Sequence, residues 1–145
     1  MELTEDKLTK IETLLEKERK DWSNNIQTLI KKISVADKLS SSQVDMLSYR
    51  HMLIDKITDL NILLSKKRAN DSNYTKTRYQ HYKTHHDVRL DHREIMKYIE
   101  SDMALRIRET GLIEYQISYY RQAIETLDKM GFAIKNKVIL ATNDI

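Results

Sequence analysis

One row of apolar residues in the C-terminal third constrains this chain more than any other feature. From about residue 91 onward, apolar side chains recur at steps of four, three, four and three residues: Ile113, Ile117, Tyr120, Ile124 and Leu127. That spacing places all five on one face of an α-helix. A second apolar row beside it widens the face. The sequence therefore predicts a long helix that must pack against another helix, from this chain or from a second copy.

The same row turns polar at Arg106 and Thr110, in two successive layers of the predicted helix. Polar groups at such positions often set the register or the oligomeric state of a helical assembly. The alternative is that both residues lie at the edge of a packed helix pair. The sequence leaves these two interpretations open.

The end of this helix is predicted near Met130. Gly131 follows it, and glycine readily adopts the left-handed conformation that terminates helices. Four apolar residues come soon afterwards, Phe132, Ile134, Val138 and Ile139. Because a terminal cluster of this kind frays unless it docks on something, we expect the tail to be an attachment surface.

The composition favours an all-α protein with one compact domain. The 145 residues include no Pro, two Gly and 32% charged residues, which is typical of long helices with few tight turns. The absence of Cys excludes a disulfide scaffold and thiolate metal sites, and it fits a cytosolic protein. No apolar run approaches the roughly 20 residues that span a bilayer, so we expect no membrane contact.

Two further helices are predicted upstream. The first covers residues 4 to about 33, with Thr4 as its N-cap and a break near residues 23–25. A second helix is expected from about 44 to 67, antiparallel to the C-terminal one. The predicted division is an N-terminal helical extension (1–37), a helix with a basic, tyrosine-rich segment (38–87), and the long C-terminal helix with its tail (88–145).

The basic, tyrosine-rich segment carries an uneven share of the charge. Residues 66–83 contain six Lys or Arg and one Asp, so six minus one leaves +5, whereas the whole chain carries +3. Tyr74, Tyr79 and Tyr82 lie among these cations. Cationic side chains follow phosphates and aromatic rings stack on unpaired bases, so the segment indicates a single-stranded nucleic-acid site. The alternative is a solvated, flexible connection whose tyrosines pack on neighbouring helices.

No motif in the chain supports catalysis or a cofactor. Two Gly residues cannot build a phosphate-binding loop, and the carboxylates of Glu100 and Asp102 belong to a mixed-charge helix face. His81 and His85 are four residues apart, as metal-ligating histidines can be, but no Cys, HExxH motif or second cluster accompanies them. We therefore expect no enzyme, no cofactor and no metal. A metal-dependent enzyme built on the histidines between 81 and 92 is a separate alternative.

Three segments resemble the UvsY family of phage recombination mediators. They are GFAIKN at 131–136, KYIESD at 97–102 and TKTRYQHY at 75–82, the last similar to the family's short Lys-x-Arg segment with its following tyrosine. The resemblance covers roughly residues 37–139. It departs from the family's pattern at residues 81–84, where a turn with glycine would be expected and His-Tyr-Lys-Thr is found.

The resemblance implies a function as well as an architecture. Members of the UvsY family form ring-like homo-oligomers that bind single-stranded DNA. By this resemblance, the chain is expected to form a hexamer or heptamer. The family loads a RecA-like phage recombinase onto strands covered by the phage single-strand-binding protein, without catalytic residues or a cofactor. The location implied is the cytoplasm of the infected host cell.

Together, the residues and the resemblance predict two surfaces on a helical hairpin. The predicted DNA-binding residues are Lys66, Lys67, Arg68, Lys76, Arg78, Tyr79, Tyr82 and Lys83. The predicted oligomerisation residues are Ile113, Ile117, Tyr120, Ile124, Leu127, Phe132, Ile134 and Val138. The alternative function is a non-enzymatic coiled-coil adaptor or structural protein that binds another protein.

Overall fold

The computed structural model of the chain describes residues 2–85 and 89–143 and consists mainly of three long helices. Helix α1 spans Glu5–Ile33, α2 spans Leu39–Thr84 and α3 spans His92–Asn143, while a short 3-10 helix at Ala36–Lys38 joins α1 to α2. The described residues contain no strand, so the all-α prediction is confirmed. Across the described ranges, no helix combines the length and the apolarity needed to cross a membrane.

Helix α1 begins where the sequence predicts. The Thr4 hydroxyl accepts a hydrogen bond from the backbone N–H of Lys7 at 3.3 Å, which satisfies one of the free donors at the helix start. The predicted break at residues 23–25 is wrong, because the helix continues through them. Trp22 and Ile26 on either side are buried, so tertiary packing holds this polar stretch in the helix.

Helix α2 extends well beyond its predicted end at residue 67. It continues to Thr84, so the basic, tyrosine-rich segment is helical and not a flexible link. No Gly or Pro interrupts residues 68–84, and nothing local stops the helix. Its contacts with α3, described below, add the packing that stabilises it.

Helix α3 also continues past its predicted end at Gly131. The described glycines have no positive φ, so Gly131 does not terminate the helix. Its missing Cβ instead leaves room for Met46 of α2, whose sulfur lies 3.0 Å from where a Cβ would be. Ile134 is buried in the next turn, and Lys137 Nζ donates to the Ile33 carbonyl at 3.2 Å. These contacts explain why the helix persists.

Cross-helix pairs show how the three helices run. Arg50–Asp128, Arg68–Glu114 and Arg78–Asp102 link α2 to α3 in opposite chain directions, so these two helices form the predicted antiparallel hairpin. Helix α1 lies along one side of it, parallel to α3, because successive contacts advance together along both helices. Those contacts are Glu5 with Arg108, Leu15 with Gln116, Arg19 with Tyr119 and Ile33 with Lys137.

The hairpin extends past the start of α1, since Glu5 is level with Arg108. This divides the molecule into two regions. We call the two-helix end the tip, consisting of residues 71–84 of α2 and 92–107 of α3. The remainder is the three-helix body.

The apolar row of α3 lies inside the body. Ile113, Ile117, Tyr120, Leu127 and Ile134 are buried against the other helices of the same chain, and Ile124 is half-buried beside them. In this fold α1 and α2 of the same chain pack against these residues, and their predicted role in oligomerisation stays a prediction. Phe132 and Val138 are exposed, and for these two it stays a prediction as well.

The polar layers of the α3 row are at the junction of body and tip. Arg106 donates to Asp71 of α2 at 3.1 Å, and its guanidinium lies 3.9 Å from the centre of the Tyr74 ring. Thr110 donates to backbone carbonyls of its own helix. Both residues are half-buried, which agrees with the interpretation that they lie at the edge of a packed helix pair.

Candidate nucleic-acid interface

The tyrosines of the basic, tyrosine-rich segment pack on apolar side chains of α3, which the segment itself lacks. Tyr74, Tyr79 and Tyr82 are half-buried and pack on a cluster from α3: Ile95, Ile99 and Met103. Because α3 supplies this apolar surface, the tyrosines form part of a small core. The structure thus shows the packing alternative of the sequence analysis, but with the segment ordered as a helix.

Three of the predicted DNA-binding cations are engaged in ion pairs with α3. Lys67 lies 3.0 Å from Glu109 and Arg78 lies 3.0 Å from Asp102, while Arg68 pairs with Glu114. A carboxylate neutralises each positive charge, so each pair mainly joins the two helices. These three side chains are therefore poorer candidates for phosphate contacts than the sequence suggested.

Arg78 and Tyr82 belong to one hydrogen-bonded group with Asp102. The Tyr82 hydroxyl donates to Asp102 Oδ2 at 2.6 Å and accepts from Arg78 Nη2 at 3.0 Å, and the Arg78 guanidinium also lies over the Tyr82 ring. The hydrogen bond to Asp102, followed by burial, raises the pKa of Tyr82. Hydrogen bonds to Tyr82 and Asp102 raise the pKa of Arg78. Arg78 and Tyr82, both predicted site residues, therefore link α2 to Asp102 of α3.

The other three predicted cations are exposed. Lys66, Lys76 and Lys83 have no ion pair with any residue that the structure describes. Lys76 and Lys83 lie three residues before and four after Tyr79, so they share its face of α2. Lys66 is farther toward the body on the outer side of the helix. Lys76, Tyr79 and Lys83 thus form one edge of the tip.

Helix α3 supplies the opposite edge. The Tyr79 hydroxyl and His92 Nδ1 are 2.9 Å apart, which joins the two helices at this side. Arg93 and Lys97, one turn apart, are exposed and have no ion pair within residues 2–85 and 89–143. Arg93 and Lys97 therefore add exposed positive charge to α3 close to this contact.

A groove of about 650 Å³ lies along α3 in the tip, and Thr75 is the α2 residue that lines it. Its floor is apolar, and two of the floor residues remain accessible, Met96 at 42% and Ile107 at 59% exposure. The Thr75 hydroxyl points to the Met103 sulfur at 3.6 Å and closes the floor between the helices. The lining residues are Thr75, His92, Arg93, Met96, Lys97, Ile99, Glu100, Met103 and Ile107. We call this the tip groove.

The tip groove combines features suited to an unpaired nucleic acid strand. Two cations, Arg93 and Lys97, line it together with His92, against one lining carboxylate, Glu100. Apolar surface between cations can accept the faces of bases while the backbone phosphates lie along the edges. The unbranched, polarisable side chain of Met96 adapts readily to different flat partners.

Sequence reasoning missed the α3 half of this site. Arg93, Met96 and Lys97 were assigned to a helix whose expected role was assembly. The signal was present, since Arg93 and Lys97 are four residues apart and lie on one face with Met96 between them. What the sequence could not supply was the position of that face opposite Tyr79.

The histidines near the turn do not form a metal site in the described part of the chain. The rings of His81 and His85 are stacked with their centroids 5.4 Å apart. Among residues 2–85 and 89–143, no group of three or more His, Cys, Asp or Glu side chains could hold a metal ion. His86 and Asp87, which the metal alternative also considered, lie outside the described residues.

Comparisons with known proteins identify no relative of this chain. No family model, curated protein or solved structure matches the chain. Function is therefore inferred from the chemistry of the tip groove. A separate argument for the function comes from the sequence, because residues 75–82, 97–102 and 131–136 resemble the UvsY family.

Proposed function

We propose that this protein binds single-stranded DNA in the tip groove. The observation that carries the proposal is an open groove with an apolar floor, lined by Arg93 and Lys97, neither of which has an ion-pair partner among the described residues. Phosphates would lie along Lys76 and Lys83 on one side and along Arg93 and Lys97 on the other. Bases would lie on Met96 and the floor around it.

The groove chemistry favours a single strand over a duplex. A single strand can turn its base faces toward an apolar surface, whereas a duplex keeps them stacked inside. Lys76 and Lys83 are separated by about 10 Å along α2, from the helical rise of about 1.5 Å per residue. That distance corresponds to a short run of nucleotides. Each copy would therefore bind only a short piece of DNA, with modest affinity.

The wider role we propose is recombination mediation. Contacts to phosphates and to the faces of bases do not depend on the DNA sequence. A protein that acts on any exposed single strand requires this kind of binding. The resemblance to the UvsY family supports the next step, in which the bound strand is handed to a RecA-like recombinase in place of a single-strand-binding protein. Self-association would strengthen DNA binding through effective concentration.

The first test measures binding of a fluorescent single-stranded oligonucleotide across a salt series. Wild-type protein should bind the single strand more tightly than a duplex of equal length. Replacing Lys76, Lys83 and Arg93 by Ala should weaken binding and make the salt dependence shallower, by about 0.7 in logarithmic slope for each lost phosphate contact. The helical content should not change, because all three side chains are exposed.

A matched control removes the same charge from the body. Lys17, Lys31 and Lys129 are exposed there, and we expect their triple Ala variant to bind DNA almost as the wild type does. Equal losses in both triple variants would show that net charge, not the groove, determines binding. Absence of binding at low salt would reject the proposal and favour the protein-adaptor alternative.

A second variant examines the floor. Replacing Met96 and Ile107 by Ala removes exposed apolar surface without changing charge. We expect roughly tenfold weaker binding to the single strand, with an unchanged salt slope and unchanged weak duplex binding. If the variant binds both DNAs as before, the bases do not contact the floor.

Mediation needs its own assay. The rate at which a RecA-like recombinase forms filaments on strands coated by a single-strand-binding protein should increase when wild-type protein is added. The triple variant of Lys76, Lys83 and Arg93 should give a smaller increase. DNA binding without any acceleration would leave the binding proposal intact and reject mediation.

A further inference from the structure

A second cavity lies between α2 and α3 in the body, and it is more polar than the tip groove. Its volume is about 250 Å³. Asn61 and Arg68 line it from α2, and Ser118 and Arg121 line it from α3, with Glu114 as the one carboxylate among the described lining residues. All five side chains are exposed, so a ligand can reach them from solvent. We call this cavity the arginine pocket.

The donors of the arginine pocket are of the kinds that bind phosphate groups. A guanidinium offers a planar fork of N–H donors that matches two oxygens of a phosphate. The Asn61 amide and the Ser118 hydroxyl add neutral donors beside the two guanidinium groups. Arg121 has no ion-pair partner in the part of the chain that the structure describes. The pocket therefore suits a phosphate group better than a cation or an apolar ligand.

Arg68 is paired with Glu114, but this pair is open to solvent. The two side chains are 60% and 51% exposed, more than either partner in the pairs of Lys67 and Arg78. Exposed ion pairs contribute little to stability, so another anion can replace the carboxylate at small cost. Glu114 therefore competes with a phosphate for Arg68.

The arginine pocket and the tip groove lie on the same side of the α2–α3 hairpin. On α2, Arg68 of the pocket and Thr75 of the groove are seven residues apart. On α3, Ile107 of the groove is followed at steps of seven by Glu114 and Arg121 of the pocket. Residues at this spacing share a helix face, so both helices present the two cavities to one side.

Small residues occupy the surface between the two cavities. Gly111 lies between Ile107 and Glu114 on the same face of α3, and a Cβ there would meet no atom of the described residues within 4 Å. Ser72 has the corresponding place on α2 and is exposed. Ile107 and Glu114 are about 10 Å apart along the helix axis, from the rise of about 1.5 Å per residue. The connecting surface is therefore short and open.

We propose that the arginine pocket binds a backbone phosphate of the same DNA strand whose bases occupy the tip groove. The strand passes Ile107, crosses Gly111 and reaches Arg68 and Arg121, where the phosphate takes the place of the Glu114 carboxylate. This inference rests on the proposed DNA binding. It adds a second contact point in the body and a carboxylate that weakens binding there.

The first experiment removes the competing carboxylate. Glu114→Gln leaves Arg68 free for a phosphate, so a long single strand should bind several times more tightly, with a salt dependence steeper by about 0.7 in logarithmic slope for one added phosphate contact. The matched control is Glu12→Gln, because Glu12 is 48% exposed and also pairs with an arginine, Arg108, but on the side where α1 lies. This control changes the net charge equally and should alter binding much less. Equal gains in both variants would overturn the role of Glu114.

The second experiment replaces both arginines by Ala and varies the length of the strand. Strands of about 4 and about 16 nucleotides bracket the site sizes of small single-strand-binding domains, and the longer one can reach both cavities. Because a strand held at two places gains affinity through effective concentration, the Arg68→Ala, Arg121→Ala variant should lose roughly tenfold with the long strand and much less with the short one. Circular dichroism should show unchanged helical content, since both arginines are exposed.

The outcomes separate this inference from the proposed function. A wild type that binds no DNA at low salt would reject both. A wild type that binds, together with an Arg68→Ala, Arg121→Ala variant that binds both strands equally well, would confine the DNA to the tip groove and overturn only the arginine pocket. Equal losses with both strand lengths would also overturn it, because the two cavities would then not lie on one continuous path.

Discussion

The body and the tip are built from the same two helices but reach stability in different ways. In the body, α1 covers the α2–α3 hairpin, and mainly aliphatic side chains close the core around Tyr120 and Leu127. In the tip there is no third helix, and half-buried tyrosines close a smaller core around Ile99. A tyrosine supplies a large apolar ring and a polar end that can remain near water. Tyrosines therefore suit a segment with only two helices.

The two regions also use their cations differently. In the body, Arg108 pairs with Glu5 and Glu12, and Lys32 pairs with Asp45. In the tip, Lys76 and Arg93 have no ion-pair partner within the described ranges. The tip also contains paired cations, Arg78 with Asp102 and Arg106 with Asp71, so its exposed charge is a local feature around Lys76 and Arg93. The third helix therefore adds stability to the body, whereas the proposed DNA binding lies at the tip.

The largest expected effect comes from shortening a core side chain in the body. Leu127 is fully buried, and Leu127→Ala should lower the free energy of unfolding by about 2–5 kcal/mol. Urea unfolding measures this change. The matched variant Ile99→Ala removes a side chain that is 3% exposed in the tip. Its main effect should be local opening, seen as faster hydrogen exchange at 71–84 and 92–107.

Hydrogen exchange in the body determines whether the two regions are independent. Protection of α1 and of α2 near Leu53 should change little in Ile99→Ala. A uniform loss of protection along the chain would contradict the comparison. It would show that the tip and the body unfold as one unit.

A smaller effect is expected from Tyr82→Phe, which removes the hydrogen bonds to Asp102 and Arg78. The tip should lose about 1 kcal/mol at neutral pH. The hydrogen bond to Asp102 raises the pKa of Tyr82 in the folded protein above its ordinary value of 10.0. The stabilisation is thus fully present below pH 10 and is lost as pH rises through the folded-state pKa.

The pH dependence separates Tyr82 from the other tyrosines. Burial also raises the pKa values of Tyr119 and Tyr120, but the wild type and the Tyr82→Phe variant both retain these two residues. The difference in stability between wild type and Tyr82→Phe should therefore be constant below pH 10 and should shrink above it. A difference that grows at alkaline pH would mean that the phenol is not a donor to Asp102.

The smallest effects are expected at the two glycines, which both lie inside α3. A Cβ at Gly111 would meet nothing within 4 Å, so Gly111→Ala should stabilise the protein by about 0.8–1.0 kcal/mol through helix propensity. A Cβ at Gly131 would lie 3.0 Å from the sulfur of Met46, which must move. Gly131→Ala should therefore stabilise by less. Thermal unfolding of both variants tests this order, and an equal gain at both positions would show that Met46 moves without cost.

The helix positions were largely predictable because local signals set them. Thr4 marks the start of α1, and the apolar spacing from Ile113 to Leu127 marks a buried face of α3. The ends of α2 and α3 were not predictable in the same way. Gly131 is a common stop signal, but packing against Met46 and the burial of Ile134 outweigh it. Tertiary contacts also keep the basic segment helical, although its composition resembles that of a loop.

The candidate site was half predictable for a related reason. Lys76, Lys83 and Tyr79 lie in a segment whose composition indicates an unpaired strand, whereas Arg93, Met96 and Lys97 are far away in sequence. Only the antiparallel packing of α2 and α3 brings Tyr79 within 2.9 Å of His92, which is next to the second set in the chain. Packing likewise determined which cations found carboxylates, because Arg78 meets Asp102 and Lys67 meets Glu109 across the helix pair.

The sequence by itself determined that this chain is helical and which helix faces are apolar, since periodicity is a local property of the backbone. It did not determine what covers each face. The α3 row is covered by α1 and α2 of the same chain, while Val44, Leu47 and Ile62 of α2 are left exposed. The physical reason is that burial favours any complementary apolar surface. Chain connectivity and the length of α1 decide which surface is within reach.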